Sequence, residues 1–369
     1  MKKSLALLLI LFTMLALTAC DNNDYSPAAT EPLEAYEGSS TYTYEIIVHE
    51  QEDESGQHEQ EDETEQAEQH EQGHEQPQLA PPPPTEIPET ITIGGIEIYT
   101  TWEALNLSDQ LLTEEDIAPL RYMANLTWLD LSGNAILDLS LTPIPQMTNL
   151  EYLNLRFNRI SDEYHRGIYF LEDISLLSGL TKLTYLGLSN NSIEDISALA
   201  NMVNLIDLDL TTNLIEDISP LAGLTNLQNL QMSGNFFADL SPLSNLTNLE
   251  SLGVGHSRLE DISPLAGLTN LGWLNLGGNH FISDITPLAG LTNLWSLSLA
   301  NAAINDLTPL AGLTNLSWLS LSDLNWGNDP LTDLSPLAGL TNLETLVIYG
   351  HGHYITDWSP VAHVGQIIP

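Results

Sequence analysis

Two places in the 369-residue sequence carry residue types that could do chemistry. The first is His70-Glu71-Gln72-Gly73-His74, a literal H-E-x-x-H. On a helix this spacing sets two imidazoles on one face to hold zinc, with the glutamate beside them as a base for peptide hydrolysis. The second is Cys20, the single cysteine. A lone thiol allows no intrachain disulfide, so stability must come from packing.

Neither group has a scaffold that would make it an active site. From His49 to Gln76 the chain is almost entirely Gln, Glu, Asp and His, with four histidines at 49, 58, 70 and 74. No apolar stripe exists to seat a helix, Gly73 weakens one, and Pro77 and Pro81–Pro84 follow. The motif therefore reads as a product of composition. A peptidase and a loose metal-capturing tract are both poorer readings than an inert spacer. Residues 21–90 hold twenty acidic residues and no Lys or Arg. Such a segment cannot bury enough apolar area to offset its conformational entropy. A disordered stalk is expected, extended by self-repulsion, with an ideal-coil span of about 45 Å.

Before this tract, Lys2 and Lys3 lead into an apolar run from Leu5 to Leu17. That run is short for a bilayer span, which takes about 20 residues, and suits a secretory signal core. It ends Leu17-Thr18-Ala19-Cys20, which resembles the lipobox of bacterial lipoproteins. The resemblance implies export by the Sec pathway, removal of residues 1–19 and lipidation of Cys20. It places the protein on the extracellular face of the bacterial membrane, with the lipid as its sole membrane contact. Two or three acyl chains hold stably, at about 0.8 kcal/mol per buried methylene.

The remainder is periodic. The leucine opening each L-x-x-L-x-L falls at 126, 150, 183, 205, 227, 249, 271, 294, 316 and 343, mostly 22 or 23 residues apart. A fixed period of this size means a stacked solenoid. Alternating apolar residues, as in Leu227-Gln-Asn-Leu230-Gln-Met232, point inward from a short strand. Asn recurs at 134, 158, 191, 213, 235 and 279, placed to bond backbone at the following turn. In Asp217-Ile-Ser-Pro-Leu, Ser219 is expected to cap a helical turn begun by Pro220.

This period and the near-verbatim DISPLAGLTNL at 217–227 and 261–271 resemble the internalin family of bacterial leucine-rich-repeat proteins. The resemblance covers about residues 92–369. It implies an α/β repeat solenoid: curved, with a parallel sheet on the concave face and short 3₁₀ turns on the convex face, preceded by the disordered tail. It also implies partner binding through the concave side. The expected organisation is signal peptide 1–19, stalk 20–90, N-terminal cap with a degenerate first rung 91–124, repeats 125–350 and C-terminal cap 351–369. About eleven strands are expected, with Ile355–Val361 keeping the turn half of a unit and adding no strand.

On the concave surface, the residues flanking the inward leucines include Trp128, Tyr152, Tyr185, Asp207, Asp209, Trp273 and Trp318. Exposed aromatics on a rigid sheet are costly unless used, and Trp and Tyr dominate binding hot spots. They form an N-terminal cluster and a C-terminal one, the latter with Trp295. The duller alternative is that neighbours only shield one another. An eleven-residue excess between Leu150 and Leu183 suggests a recognition loop carrying Tyr164, His165, Arg166 and Tyr169; a smaller excess carries Trp326.

No cofactor, catalytic residue or metal site is expected. Asp207 and Asp209 lack a loop of calcium-binding spacing, and the histidines of the repeat region are scattered over different rungs. With eight Lys and Arg against fifty Asp and Glu, the formal charge is −42, which argues against nucleic acid. Residues 91–369 carry −24 of it. The expected function is a lipid-anchored surface adhesin or recognition protein, monomeric, binding a protein or surface-glycan ligand. The alternatives are a structural envelope or biofilm component and a non-catalytic substrate-capturing subunit.

Overall fold

The computed structural model describes residues 87–162, 167–323, 330–350 and 354–368. Cys20, the H-E-x-x-H tract, Tyr164, His165, Arg166 and Trp326 lie outside the described residues.

The described chain opens with an antiparallel hairpin, β1 (Thr90–Ile93) and β2 (Ile96–Tyr99). It turns through Gly94 and Gly95, both at positive φ. Ile91, Ile93 and Ile98 bury one face of the hairpin in the same core as the repeats. A short helix, α1 (Glu114–Ile117), and a 3₁₀ turn over Ala118–Tyr122 follow the first repeat strand.

The repeats build one parallel sheet of twelve strands. They are β3 (Ala104–Asn106), β4 (Trp128–Asp130), β5 (Tyr152–Asn154), β8 (Tyr185–Gly187), β9 (Asp207–Asp209) and β10 (Asn229–Gln231). They continue through β11 (Ser251–Gly253), β12 (Trp273–Asn275), β13 (Ser296–Ser298), β14 (Trp318–Ser320), β15 (Thr345–Val347) and β16 (Gln366–Ile368). The register is in phase throughout: Leu105, Leu129, Leu153, Leu186, Leu208 and their successors pair Cα to Cα, ending in Leu346 with Ile367. Side chains of one strand position therefore form rows running across the sheet, an inward leucine row flanked by two outward rows. The return path of each rung is a 3₁₀ turn such as Ser219–Gly223, where Pro220 supplies a preset φ.

Three expectations change. The excess after β5 is an antiparallel hairpin, β6 (Arg159–Asp162) with β7 (Gly167–Phe170), set apart from the main sheet. The count is twelve strands, since the last segment adds β16 parallel to β15 where no further strand was expected. Val364 and Ile367 take the places of the two template leucines there, and branched aliphatics suit a strand as well as leucine does. Finally, Ser219 does not cap its turn. Asp217 does: Oδ1 accepts from the Ser219 backbone N–H at 2.8 Å, and the Ser219 hydroxyl donates back to Oδ2 at 2.9 Å. A carboxylate two residues ahead is the stronger acceptor, so the serine serves as donor.

Asp239 and Asp261 repeat the whole arrangement, and Asp195, Asp284, Asp306 and Asp357 repeat its backbone bond. Backbone and hydroxyl hydrogen bonds hold the carboxyls of Asp173, Asp217, Asp239 and Asp284 below the ordinary 3.8, and the same pair of bonds acts on Asp306 and Asp357. Depressed carboxyl values mean stability that is present above the unfolded value and lost as pH falls through the folded ones. Acidification from pH 5 to below 3.8 should therefore lower the melting temperature progressively. A melting temperature flat across that range would contradict the capping role.

At the opposite corner, the buried asparagines stitch rungs together. Asn213 Nδ2 donates to Leu210 O and to Leu188 O of the preceding rung, both at 3.0 Å, while its Oδ1 accepts from Ile193 N–H at 3.1 Å. Asn134, Asn158, Asn191, Asn235 and Asn279 make the same kind of bonds. Replacing Asn213 by Leu strands the Ile193 amide in the core, at about 1–3 kcal/mol, and leaves Leu188 O to Asn191 and Leu210 O to Asn235 alone. Chemical denaturation should show a loss of about 1–3 kcal/mol.

Candidate binding face

The two outward rows make the candidate site, because they present side chains from rung after rung on one rigid surface. One row runs Trp128, Tyr152, Tyr185, Asp207, Asn229, Ser251, Trp273, Ser296, Trp318 and Thr345. The other begins Asp130, Asn154, Gly187, Asp209 and Gln231.

The N-terminal aromatics come together. Trp128 stacks on Tyr152 with centroids 4.6 Å apart and planes 17° apart; Tyr152 stacks on Tyr185 at 4.2 Å and 7°. The strand spacing of about 4.8 Å is close to the centroid separation of offset-stacked rings, so in-register aromatics on adjacent parallel strands fall into face-to-face contact. Burial pushes both phenols above their ordinary value. The Tyr152 hydroxyl donates to that of Tyr185, which raises the first further and opposes the rise in the second. The carboxylate charges of Asp130 and Asp209 add to the rise.

The C-terminal pair does not stack. Trp273 and Trp318 are registered on either side of Ser296, one strand each, and Ser296 is buried between them. Two strand spacings, about 10 Å, separate their backbones. Trp295, 40 % exposed, leaves the row and lies over Gly272, where a Cβ would meet its Nε1 at 2.6 Å. Tyr169 is an exposed position of β7, away from the rows.

The acidic residues between the clusters are partnered. Asp207 accepts from Asn229 Nδ2, and burial pushes its carboxyl above 3.8. Asp209 Oδ1 accepts from Thr211 N–H at 3.0 Å, and Oδ2 faces Arg156 Nε at 3.4 Å. Among the described residues no group of His, Cys, Asp and Glu is placed to hold a metal ion, and no helix is long and apolar enough to cross a membrane.

Sequence reasoning missed Arg156. It is one of six bases in residues 91–369 and directly follows the inward residue that ends its strand segment, a signal that was available. Its reach to Asp209, over the strand between them, depends on Gly187. A Cβ there would sit 3.2 Å from Arg156 Cγ and 2.7 Å from Asn154 Oδ1.

A phenol whose folded value is raised stays neutral past pH 10.0, contributing stability that is lost as alkali ionises it. In an alkaline absorbance titration, the Tyr152→Phe/Tyr185→Phe double variant should show the same tyrosinate amplitude near pH 10.0 as the parent. An amplitude lower by two tyrosines would mean that these phenols are open to water.

The family model for leucine-rich repeats matches residues 124–163, 181–223 and 225–267. No curated protein matches the sequence. Among solved structures, an internalin from Listeria monocytogenes is 31% identical, with 74% of this chain and 89% of that one covered and a TM-score of 0.57. An internalin C2 from the same species is 37% identical, over 53% of this chain and 79% of the other, with a TM-score of 0.47. The leucine-rich-repeat ectodomain of a plant membrane receptor kinase from Arabidopsis thaliana, solved in complex with Casparian strip integrity factor 2, is 22% identical. It covers 67% of this chain and 32% of the other, with a TM-score of 0.50. An in-phase sheet built on this repeat, together with likeness over most of a Listeria internalin, identifies the chain as a member of the internalin family of bacterial leucine-rich-repeat proteins.

Proposed function

We propose that the protein binds a protein partner through its concave face while tethered to the outside of a bacterial cell by lipid on Cys20. The observation that carries this reading is the stacked Trp128–Tyr152–Tyr185 trio on the sheet surface. Evolving cores hide aromatics; a trio on a solvent-facing row of a preorganised sheet offers contact area at little entropic cost on binding. The C-terminal tryptophans Trp273 and Trp318 give a second contact region on the same row. The receptor-kinase ectodomain captured with its factor supports use of this fold for protein recognition, as fold-level analogy. Under this reading residues 1–19 are the leader, 20–90 the spacer, 91–124 and 351–369 the ends of the solenoid, and the insertion residues Tyr164, His165, Arg166 and Tyr169 a further contact. Catalysis has no part in it.

The test uses the full chain as bait against envelope and host-cell extracts. Capture should be lost in Trp128→Ala/Tyr152→Ala and weakened in Trp273→Ser/Trp318→Ser, by about tenfold or more for a hot spot worth about 2 kcal/mol. Melting temperatures measured alongside separate lost contacts from lost fold. Cys20→Ser should release the protein into the medium; a variant still acylated and membrane-bound removes the tether from the proposal. Capture that survives both aromatic pairs would move the binding surface elsewhere.

A further inference from the structure

We infer that Arg156 and Ser189 form a carboxylate-binding subsite on the concave face, which takes an aspartate or glutamate side chain of a protein partner. This deepens the concave-face reading above and rests on it.

Ser132, Arg156, Ser189 and Thr211 occupy one position in four successive rungs, as the ladder bonds Leu131 N–H to Asn154 O, Leu155 N–H to Gly187 O and Leu188 N–H to Asp209 O require. In the first of these rungs the serine has a carboxylate partner: the Ser132 hydroxyl donates to Asp130 Oδ1 at 2.7 Å. Two rungs on, the residue equivalent to Asp130 is Gly187. The Ser189 hydroxyl is accordingly fully buried with no hydrogen-bond partner, the single side-chain oxygen of that kind among the described residues. A buried orphan hydroxyl costs about 1–3 kcal/mol. It sits where the fold elsewhere places a carboxylate.

The gap left by Gly187 is also where Arg156 crosses. Its Nε reaches Asp209 Oδ2 at 3.4 Å, long for a charge-assisted bond, and its terminal nitrogens make no hydrogen bond among the described residues. The planar fork is built for two parallel bonds to one carboxylate, and Asp209 satisfies it through Nε alone. The Tyr185 hydroxyl lies 3.0 Å and Asn154 Oδ1 2.7 Å from the point a Gly187 Cβ would occupy, so one hydroxyl and one amide oxygen flank the gap that Arg156 crosses. The charges facing it are Asp209, its ion-pair partner at 3.4 Å, and Asp130, whose field reaches Tyr185. An incoming carboxylate therefore exchanges with Asp209 rather than entering an empty positive hole.

Two observations favour a protein side chain over an acidic glycan. Tyr152 has both ring faces covered by Trp128 and Tyr185, so beside Arg156 it offers an edge, where a sugar ring stacks on a face. The repeat region carries −24, which repels a polyanion yet tolerates one carboxylate on a neutral or basic partner.

The test titrates the full chain with the blocked dipeptide acetyl-Phe-Glu-amide, against acetyl-Phe-Gln-amide and glucuronate, following the Arg156 Nε–H resonance and tyrosine fluorescence. The glutamate peptide should bind in the millimolar range and the glutamine peptide should not. Arg156→Gln should abolish binding. Asp209→Asn, which keeps an acceptor for Thr211 but removes the competing charge, should tighten it about tenfold. Ser189→Ala should weaken it several-fold and raise the melting temperature, a pairing that a purely structural hydroxyl would not give. No binding even to the Asp209→Asn protein, or equal binding to Arg156→Gln, overturns the subsite. Tighter binding of glucuronate than of the peptide overturns the assignment to a protein side chain. A lower melting temperature for Ser189→Ala means that the hydroxyl already has a partner, and overturns its role. These readouts need no captured partner: if the aromatic variants lose capture while the titrations show nothing, concave-face binding stands and the subsite falls.

Discussion

Every rung of a solenoid turns a corner inside its own core, and each corner leaves backbone carbonyls and amides away from water. The asparagine ladder is the answer to that constraint, and the rest of the structure depends on it. Each buried amide has two donors and an acceptor, and the ladder spends them on its own rung and the one before. The bonds bind rung to rung at fixed spacing, which holds the leucines in phase and keeps the outward rows straight. Where the asparagine is missing, a neighbour covers the position: Asn279 Oδ1 accepts from both Ser257 N–H and Leu259 N–H. At Ala302 the backbone closes on itself, Ala302 N–H to Leu299 O.

The same corner demands a left-handed residue immediately before the ladder position. Gly133, Phe157, Asn190, Thr212, Gly234, His256, Gly278 and Asn301 all sit at φ between 50° and 77°. Only some are the residues that tolerate this conformation; Phe157 and Thr212 adopt it because the ladder over-determines the turn. Rigidity of this kind turns sequence spacing into site geometry. Once the rows are fixed, residues a repeat apart become neighbours about 4.8 Å apart, and aromatics in adjacent rungs have little choice but to stack. Trp273 and Trp318, separated by a serine rung, cannot do so.

What the sequence made legible follows from this periodicity. The rows could be read residue by residue, since the leucine alternation determines which side chains face out. The features that escaped are those set by chemistry between rungs or by departures from the template. Asp217 was passed over for Ser219 because the habit of serine as a cap outweighs the stronger acceptor two residues earlier. Strand β16 was missed because Val364 and Ile367 stand where leucine was sought. The pairing of Arg156 with Asp209 spans an intervening strand, and it depends on an absent side chain at Gly187, which no count of charged residues reveals.

Charge is distributed as unevenly in space as in composition. The cap aspartates are exposed on the turn side, and hydrogen bonds from their own turns hold several of them firmly ionised. On the concave side, Asp209 is paired with Arg156, and Asp207 is half-buried against Asn229 with its ionisation disfavoured. The sheet face thus holds Asp130 and Asp207 beside the paired Asp209, fewer free carboxylates than the row of exposed cap aspartates on the turn side. Long-range attraction of a basic partner would act mainly on the turn side, screened beyond about 8–10 Å at physiological salt. Selection on the concave face must then come from short-range fit: ring edges, a few amides and one guanidinium whose present partner is replaceable. Association rate and specificity are in this way assigned to opposite sides of the same rung, and changes to one need not disturb the other.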